Sequence, residues 1–285
     1  MIKEQLSKND FQEILARYNI GNFKSAKYID TAIENANYKL ITSKGKFALK
    51  VFESKDIVRL KFQNNLINYL DSKKVKVAPL VHTKKNKDIM KYKGRFVSIF
   101  KFIEGDHLQK LSTKQVVNLG KEVSKFHKAL LGFKGGNKRR PLYSKDDHKI
   151  FAGKKLKMSI IHGDLGRQNV LFNGDEVNAL IDFNDAHYNY LVGDLATTIN
   201  SFFIEKSQIH LLKLFMKEYE KNKVLKLTDD EKELLPYFIK LRIERVIDWI
   251  RETIKKKQYK SSQLPYLNKA LKNFETKAKF LENKL

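Results

Sequence analysis

At 285 residues, with 42% hydrophobic and 11% aromatic content, the chain can bury a real core as two compact lobes or one large domain, and global disorder is excluded. The absence of cysteine removes disulfides, thiolate chemistry and Cys-based metal sites, and fits a cytoplasmic setting. Fifty-seven Lys plus Arg against 32 Asp plus Glu leave a net charge of +25, but the lysines are spread along the chain and seldom interleave with aromatic residues, which reads as a basic surface and not as a nucleic-acid groove.

The opening segment MIKEQLSKNDFQEIL is polar and helix-like, without the apolar core of a signal peptide. No run approaches the roughly eighteen apolar residues of a membrane span, so a soluble protein without a membrane partner is expected. A helix is expected over Phe11–Tyr18, followed by a turn at Asn19–Asn22. Alternation then predicts strands at Tyr28–Ile33, Tyr38–Thr42 and Lys46–Phe52, with Ser43-Lys44-Gly45 as a hairpin turn. The segment Asp56–Leu70 places apolar residues at helical spacing. Strands follow at Leu80–His82, Lys87–Tyr92 and Arg95–Ile103, with turns at Asn86 and Gly94. From Thr113 onward helices dominate, interrupted between Met158 and Phe183 by short apolar runs of the buried-strand kind, and long amphipathic helices run from Gly193 to the end. The densest basic clusters, Lys134–Arg140 and Lys255–Lys260, read as a loop and a helix end. A strand-rich first third and a helical remainder predict an α+β chain of two lobes, residues 1–103 and 104–285, joined near Phe102–Gly105.

The chemistry lies in Ile160-Ile161-His162-Gly163-Asp164-Leu165-Gly166-Arg167-Gln168-Asn169-Val170-Leu171-Phe172, followed by Ile181-Asp182-Phe183. The spacing suits phosphoryl transfer, which needs positioning and charge neutralisation more than a covalent nucleophile. Asp164, on a loop, can accept the proton of an attacking hydroxyl. Asn169 can point back to hold a metal ion while the apolar strand after it anchors the loop. Asp182, at the end of a second buried strand, supplies a carboxylate, and this oxygen-only donor set suits Mg²⁺. His162 is expected to brace the loop, and Asp194 in Asp194-Leu195-Ala196 to order its backbone.

The pattern HxDxxxxN followed by IDF resembles the catalytic and metal loops of protein-kinase-like phosphotransferases. With HGD at Asp164 and DLA at Asp194, the chain resembles the aminoglycoside phosphotransferase, choline kinase and type II homoserine kinase superfamily, with the nearest likeness to the type II homoserine kinases. The segments Glu34-Asn35-Ala36-Asn37-Tyr38, Leu60–Leu70, Phe96–Gly105, Asp194–Phe203 and Arg245-Val246-Ile247-Asp248-Trp249 contribute, so that the likeness covers nearly the whole chain. It implies a bilobal protein-kinase-like fold with a small antiparallel-sheet N-terminal lobe, and an ATP- and Mg²⁺-dependent kinase that phosphorylates the hydroxyl of a small metabolite, L-homoserine first among the candidates. Lys50 in Phe47-Ala48-Leu49-Lys50-Val51 matches the lysine that holds the α- and β-phosphates, with Gln63, Asn65, Glu53 or Asp56 in place of the usual helix glutamate. Asn35 and Asn37 are expected to serve the phosphate-loop turn, and backbone groups of Lys101, Phe102 and Ile103 to read the adenine. Asp185, Arg245, Asp248 and Trp249 are expected on the acceptor side, where an arginine suits a substrate carboxylate; for Trp249, core packing is an equal reading. An aminoglycoside or choline/ethanolamine-type kinase, and a nucleotide- or RNA-binding pseudokinase, are the alternatives. The expected assembly is a monomer or homodimer.

Overall fold

The computed structural model describes residues 6–29, 35–135, 143–205, 207–257, 259 and 263–282. The chain divides into two compact units, residues 1–71 with 78–103 and residues 72–77 with 104–285.

The first unit is an antiparallel sheet with two helices. Helix α1 (Lys8–Leu15) starts three residues before the apolar pattern because Ser7 and Asp10 form a capping box, satisfying N–H groups that the first turn leaves open. Strands β1 (Phe23–Ile29), β2 (Ala36–Thr42), β3 (Gly45–Phe52), β4 (Leu80–Val81), β5 (Met90–Tyr92) and β6 (Arg95–Lys101) form one sheet in the order β1-β2-β3-β6-β4, with β5 on β6. Strand β1 begins five residues ahead of the expected Tyr28–Ile33. It is an edge strand with largely exposed or half-buried residues, so two-residue alternation is weak there; Asp30–Glu34 lie outside the described residues. The β2–β3 hairpin closes with Thr42 opposite Gly45, and Gly45 takes φ +130°, a conformation that favours glycine. Strand β5 is shorter than the expected Lys87–Tyr92 because the Asp88 carbonyl accepts from Ser98 Oγ at 2.8 Å and Asn64 Nδ2 at 3.3 Å, which removes it from strand pairing. Helix α2 (Ile57–Ser72) buries Leu60, Phe62, Leu66, Ile67 and Leu70. Phe11, Ile14, Leu40, Leu49, Val97 and Ile99 lie in one apolar cluster between α1 and the sheet.

The second unit is mostly helical: α3 (Thr113–Leu131), α4 (Lys145–Phe151), α5 (Leu191–Phe202), α6 (Leu212–Tyr219), α7 (Asp229–Lys255) and α8 (Leu264–Glu282). Two small antiparallel pairs sit among them, β7 (Met158–Ile161) with β10 (His187–Tyr190), and β8 (Val170–Asn173) with β9 (Glu176–Leu180). Strand β10, His-Tyr-Asn-Tyr, was illegible as a strand because its residues are polar or amphipathic; pairing with the apolar β7 fixes it. Residues 72–77 group here because Lys76 N–H donates to Glu122 at 2.8 Å and its carbonyl accepts from Leu180 N–H at 2.7 Å. Of the basic clusters, residues 136–140, 258 and 260 lie outside the described residues. Among the described residues no helix is long and apolar enough to cross a membrane.

Candidate active site

Strand β7 runs buried into His162-Gly163-Asp164, and helix α5 holds the loop that follows. Three residues on one face of α5, spaced at about one helical turn, do this. Asp194 accepts the His162 N–H at 2.9 Å and the Gly163 N–H at 3.0 Å, Thr198 Oγ1 donates to the Leu165 carbonyl at 3.0 Å, and Ser201 Oγ accepts the Arg167 N–H at 2.8 Å. Asp194 is wholly buried and also bonds His127 Nε2 at 3.1 Å, while His127 Nδ1 meets Tyr219 Oη at 2.9 Å. Burial is the largest influence on Asp194 and pushes its pKa up, yet the histidine bonds and charges and the backbone N–H outweigh it and hold the carboxyl below its ordinary value.

Gly163 is required twice over. Its φ is +81°, and a Cβ there would stand 2.4 Å from the Asp185 carbonyl oxygen. His162 is a brace: its Nδ1 accepts the Asp164 N–H at 3.3 Å and its Nε2 meets the Ile181 carbonyl at 2.9 Å, which assigns the proton to Nε2. Its ring packs on Phe183 with centroids 4.7 Å apart. One histidine thereby joins the Asp164 loop to the segment that carries Asp182.

Asp164 Oδ2 accepts from Asn169 Nδ2 at 3.0 Å and Gln168 Nε2 at 3.1 Å, and its backbone carbonyl accepts from the same Asn169 nitrogen at 2.7 Å. Asn169 is buried, and its own carbonyl accepts the Ile181 N–H at 2.9 Å, so Asp182 is the next residue along from a direct backbone link. With the Asn169 nitrogen committed to Asp164, its amide oxygen is the atom left for a cation. Asp182 is exposed and stands at φ 63°, ψ 69°, a left-handed conformation that costs a non-glycine residue on the order of 1 kcal/mol and concentrates at functional sites. An amide oxygen and an exposed carboxylate on adjoining turns fit a hard divalent cation.

Of the remaining expected residues, the structure brings Asp185 and Arg245 to this region. Asp185 crowds Gly163 through its carbonyl, which also meets His187 Nδ1 at 2.6 Å. Beside Gly163 lies a cavity of about 40 Å³ whose lining includes Tyr143, His187, Asn189, Phe238, Arg242 and Arg245. The Arg245 guanidinium lies over the Tyr143 ring at 4.6 Å, and burial pushes the Tyr143 phenol up to about 12 although Arg245 pulls the other way. Asp248 and Trp249 are not brought to the cavity. Both are exposed, Trp249 by 48%, so the tryptophan is neither a lining residue nor a core residue. Arg242, which sequence reasoning passed over, donates through Nη2 to Asp164 Oδ1. The available signal was its place one turn before Arg245 on an amphipathic helix.

In the first unit Lys50 sits in β3 between the buried Leu49 and Val51, opposite Asn37 on β2 and Ser98 on β6. Asn37 is therefore a strand residue and not a turn residue, because pairing on both sides holds it extended. Asn35 is buried, and its side-chain oxygen accepts the Glu53 N–H at 3.3 Å, which ties the start of β2 to the end of β3. The N–H groups of Lys101 and Phe102 are used within the unit, on the Pro79 and Lys46 carbonyls at 2.8 and 3.3 Å.

Residues 149–234 match the model of the phosphotransferase enzyme family. Homoserine kinase of Agrobacterium fabrum is 26% identical over 93% of this chain and 92% of its own, and homoserine kinase of Rhizobium meliloti 27% over 93% and 91%. Among solved structures, an amicoumacin kinase in complex with AMP-PNP, Ca²⁺ and Ami has a TM-score of 0.75 at 15% identity over 95% of this chain and 94% of its own. A microcompartment-associated aminopropanol kinase has a TM-score of 0.74 at 15% identity over 97% of both chains. The fold is that of the protein-kinase-like small-molecule phosphotransferases, mixed α+β with an antiparallel sheet followed by helices. The chain is similar to the aminoglycoside phosphotransferase and homoserine kinase superfamily, and its matches indicate an ATP-dependent small-molecule kinase.

Proposed function

We propose that this protein transfers the γ-phosphoryl group of ATP to the side-chain hydroxyl of L-homoserine. The observation that carries the reading is the match to homoserine kinases along more than nine-tenths of both chains, joined to a site whose Asp164, Asn169 and Asp182 have the order and chemistry phosphoryl transfer needs.

In this reading Asp164 takes the proton of the acceptor hydroxyl as its oxygen forms a bond to the γ-phosphorus. The bond from that phosphorus to the bridging oxygen breaks, and its electron pair leaves on ADP. Asn169 and Asp182 would hold Mg²⁺, which when bound would supply charge neutralisation at the phosphates. His162 and Asp194 fix the loop, so that Asp164 is positioned before substrate arrives. Lys50 holds the α- and β-phosphates; the Ile103 N–H and neighbouring carbonyls read the adenine edge, since the other two amides of that segment are committed.

The test is ADP release from Mg·ATP with L-homoserine, choline, ethanolamine, several sugars and an aminoglycoside, in the native protein and in Asp164→Asn. Stimulation by L-homoserine that is lost in Asp164→Asn, with Mg·ATP binding retained, is the expected result. Stimulation by another alcohol alone overturns the acceptor, and retained turnover in Asp164→Asn removes Asp164 as the base.

A further inference from the structure

We propose that Arg242 has two states, a resting state in which it masks Asp164 and an acceptor-bound state in which it holds the acceptor's carboxylate. This rests on the kinase reading above and narrows its acceptor to short hydroxy acids and hydroxy amino acids.

Two observations carry it. The first is the occupancy of the base. Asp164 presents Oδ2 to Asn169 and Gln168 and Oδ1 to the Arg242 guanidinium. With the guanidinium seated on Oδ1 and two amide nitrogens on Oδ2, an acceptor hydroxyl has no open approach to either carboxylate oxygen. For Asp164 to act as base on a hydroxyl, Arg242 must give up Oδ1. Both side chains are only about three-quarters covered, with 26% and 27% exposure, so the pair lies where solvent weakens it and exchange is open to it.

The second is the charge of the cavity beside Gly163. Among the described residues its lining carries two arginines, Arg242 and Arg245, and no aspartate or glutamate. Arg245 is already engaged with the Tyr143 ring, which leaves Arg242 as the arginine whose planar fork can turn from one carboxylate to another. The polar wall is completed by His187 and Asn189, bonded to each other at 2.9 Å, which add no negative charge when the imidazole is neutral or protonated. Such a lining attracts an anion and repels a polycation. Arg242 meets Asp164 through Oδ1, while Asn169 and Gln168 hold Oδ2; a substrate carboxylate can offer the guanidinium both of its oxygens, the bidentate geometry it prefers. The acceptor's own carboxylate thereby draws Arg242 off Asp164 at the moment its hydroxyl needs the base. Without it Asp164 stays paired, and hydrolysis of ATP by water is suppressed.

The experiment compares L-homoserine with 3-amino-1-propanol, the same chain without the carboxylate, in the native protein, Arg242→Gln and Arg242→Lys. The native protein is expected to favour homoserine in kcat/KM by about 100-fold or more, less than the roughly 10⁴–10⁵ by which a fully enclosed polar site rejects an analogue lacking its group, because the Arg242 side chain is 26% exposed. Arg242→Gln is expected to lose most of that preference by falling on homoserine alone, and to raise acceptor-free ATP hydrolysis several-fold; Arg242→Lys restores part of the preference. Unfolding midpoints of the variants are read in parallel to show that they are folded. An equal loss on both alcohols, with the fold intact, overturns the carboxylate role and makes Arg242 only a support for the base. Unchanged or lower acceptor-free hydrolysis overturns the masking. If the native protein phosphorylates neither alcohol while the panel above reveals another acceptor without a carboxylate, this inference falls and the kinase reading stands; if nothing is phosphorylated, both fall.

Discussion

Replacing Asp194 by Asn preserves the shape of a wholly buried side chain but removes its charge and turns one acceptor oxygen into a donor. In the native arrangement one oxygen accepts from the His162 N–H and His127, the other from the Gly163 N–H. An asparagine can aim its single oxygen at one of these sides, so a donor faces a donor at the other. Breaking a buried ionic arrangement from one side costs about 3–5 kcal/mol, and hydrogen bonds to a charged group are worth about 1.5–3 kcal/mol each. A loss of about 4 kcal/mol lowers the unfolding midpoint of a chain of this size by roughly 10 °C. The pH dependence has a fixed sign. The folded carboxyl lies below its ordinary value, so the folded state binds fewer protons there, and the contribution of Asp194 is complete above an ordinary carboxylate pKa of about 4, begins to fade below it and is lost as the pH falls through the lower folded value. Thermal unfolding followed by circular dichroism from pH 7 downward is the assay. A shift below about 2 °C at pH 7, or a gap between native and variant that widens on acidification, would refute the reasoning.

Gly163→Ala forces a Cβ onto the Asp185 carbonyl at a positive φ; the loop must move, and turnover is expected to fall about 100-fold, the usual cost of a displacement near 1 Å, with nucleotide affinity little changed in equilibrium binding. Asp182→Ala is expected to weaken nucleotide binding in the presence of Mg²⁺ and to leave metal-free binding nearly unaltered; an unchanged Mg²⁺ requirement counts against its metal role. Lys50→Ala is expected to raise the KM for ATP and lower kcat without moving the unfolding midpoint by more than about 2 °C, since the side chain is half-buried and its strand neighbours carry the core. Ser7→Ala removes the α1 capping box and is expected to cost about 1 kcal/mol, visible as a lower midpoint with kinetics unchanged.

The order of elements and the motif residues were readable in the sequence because both depend on local chemistry. Apolar alternation marks β2, β3 and β6, where both faces or one face must be buried, and helical spacing marks α2. His162, Gly163, Asp164, Asn169 and Asp182 form a short-range pattern whose spacing is itself the constraint, since the β8–β9 hairpin that joins the last two is local. The elements that escaped were those whose formation depends on distant partners: the polar β10 needs β7, the edge strand β1 needs β2, and β5 is cut short by Asn64 and Ser98. Asn37 lies in a strand and not in a turn for the same reason, because an asparagine's tolerance of turns is intrinsic whereas its pairing in a ladder is not. Trp249 likewise sits on a helix whose sequence leaves its azimuth open, and packing turned it to solvent. The site shows the same division. Sequence alone marked Asp164 and Asp182 as the candidate carboxylates, while only the tertiary structure decided what surrounds them. Burial makes Asp194 the support of the loop, and helix α7, remote in sequence, brings Arg242 onto Asp164, a juxtaposition that no local rule of spacing encodes.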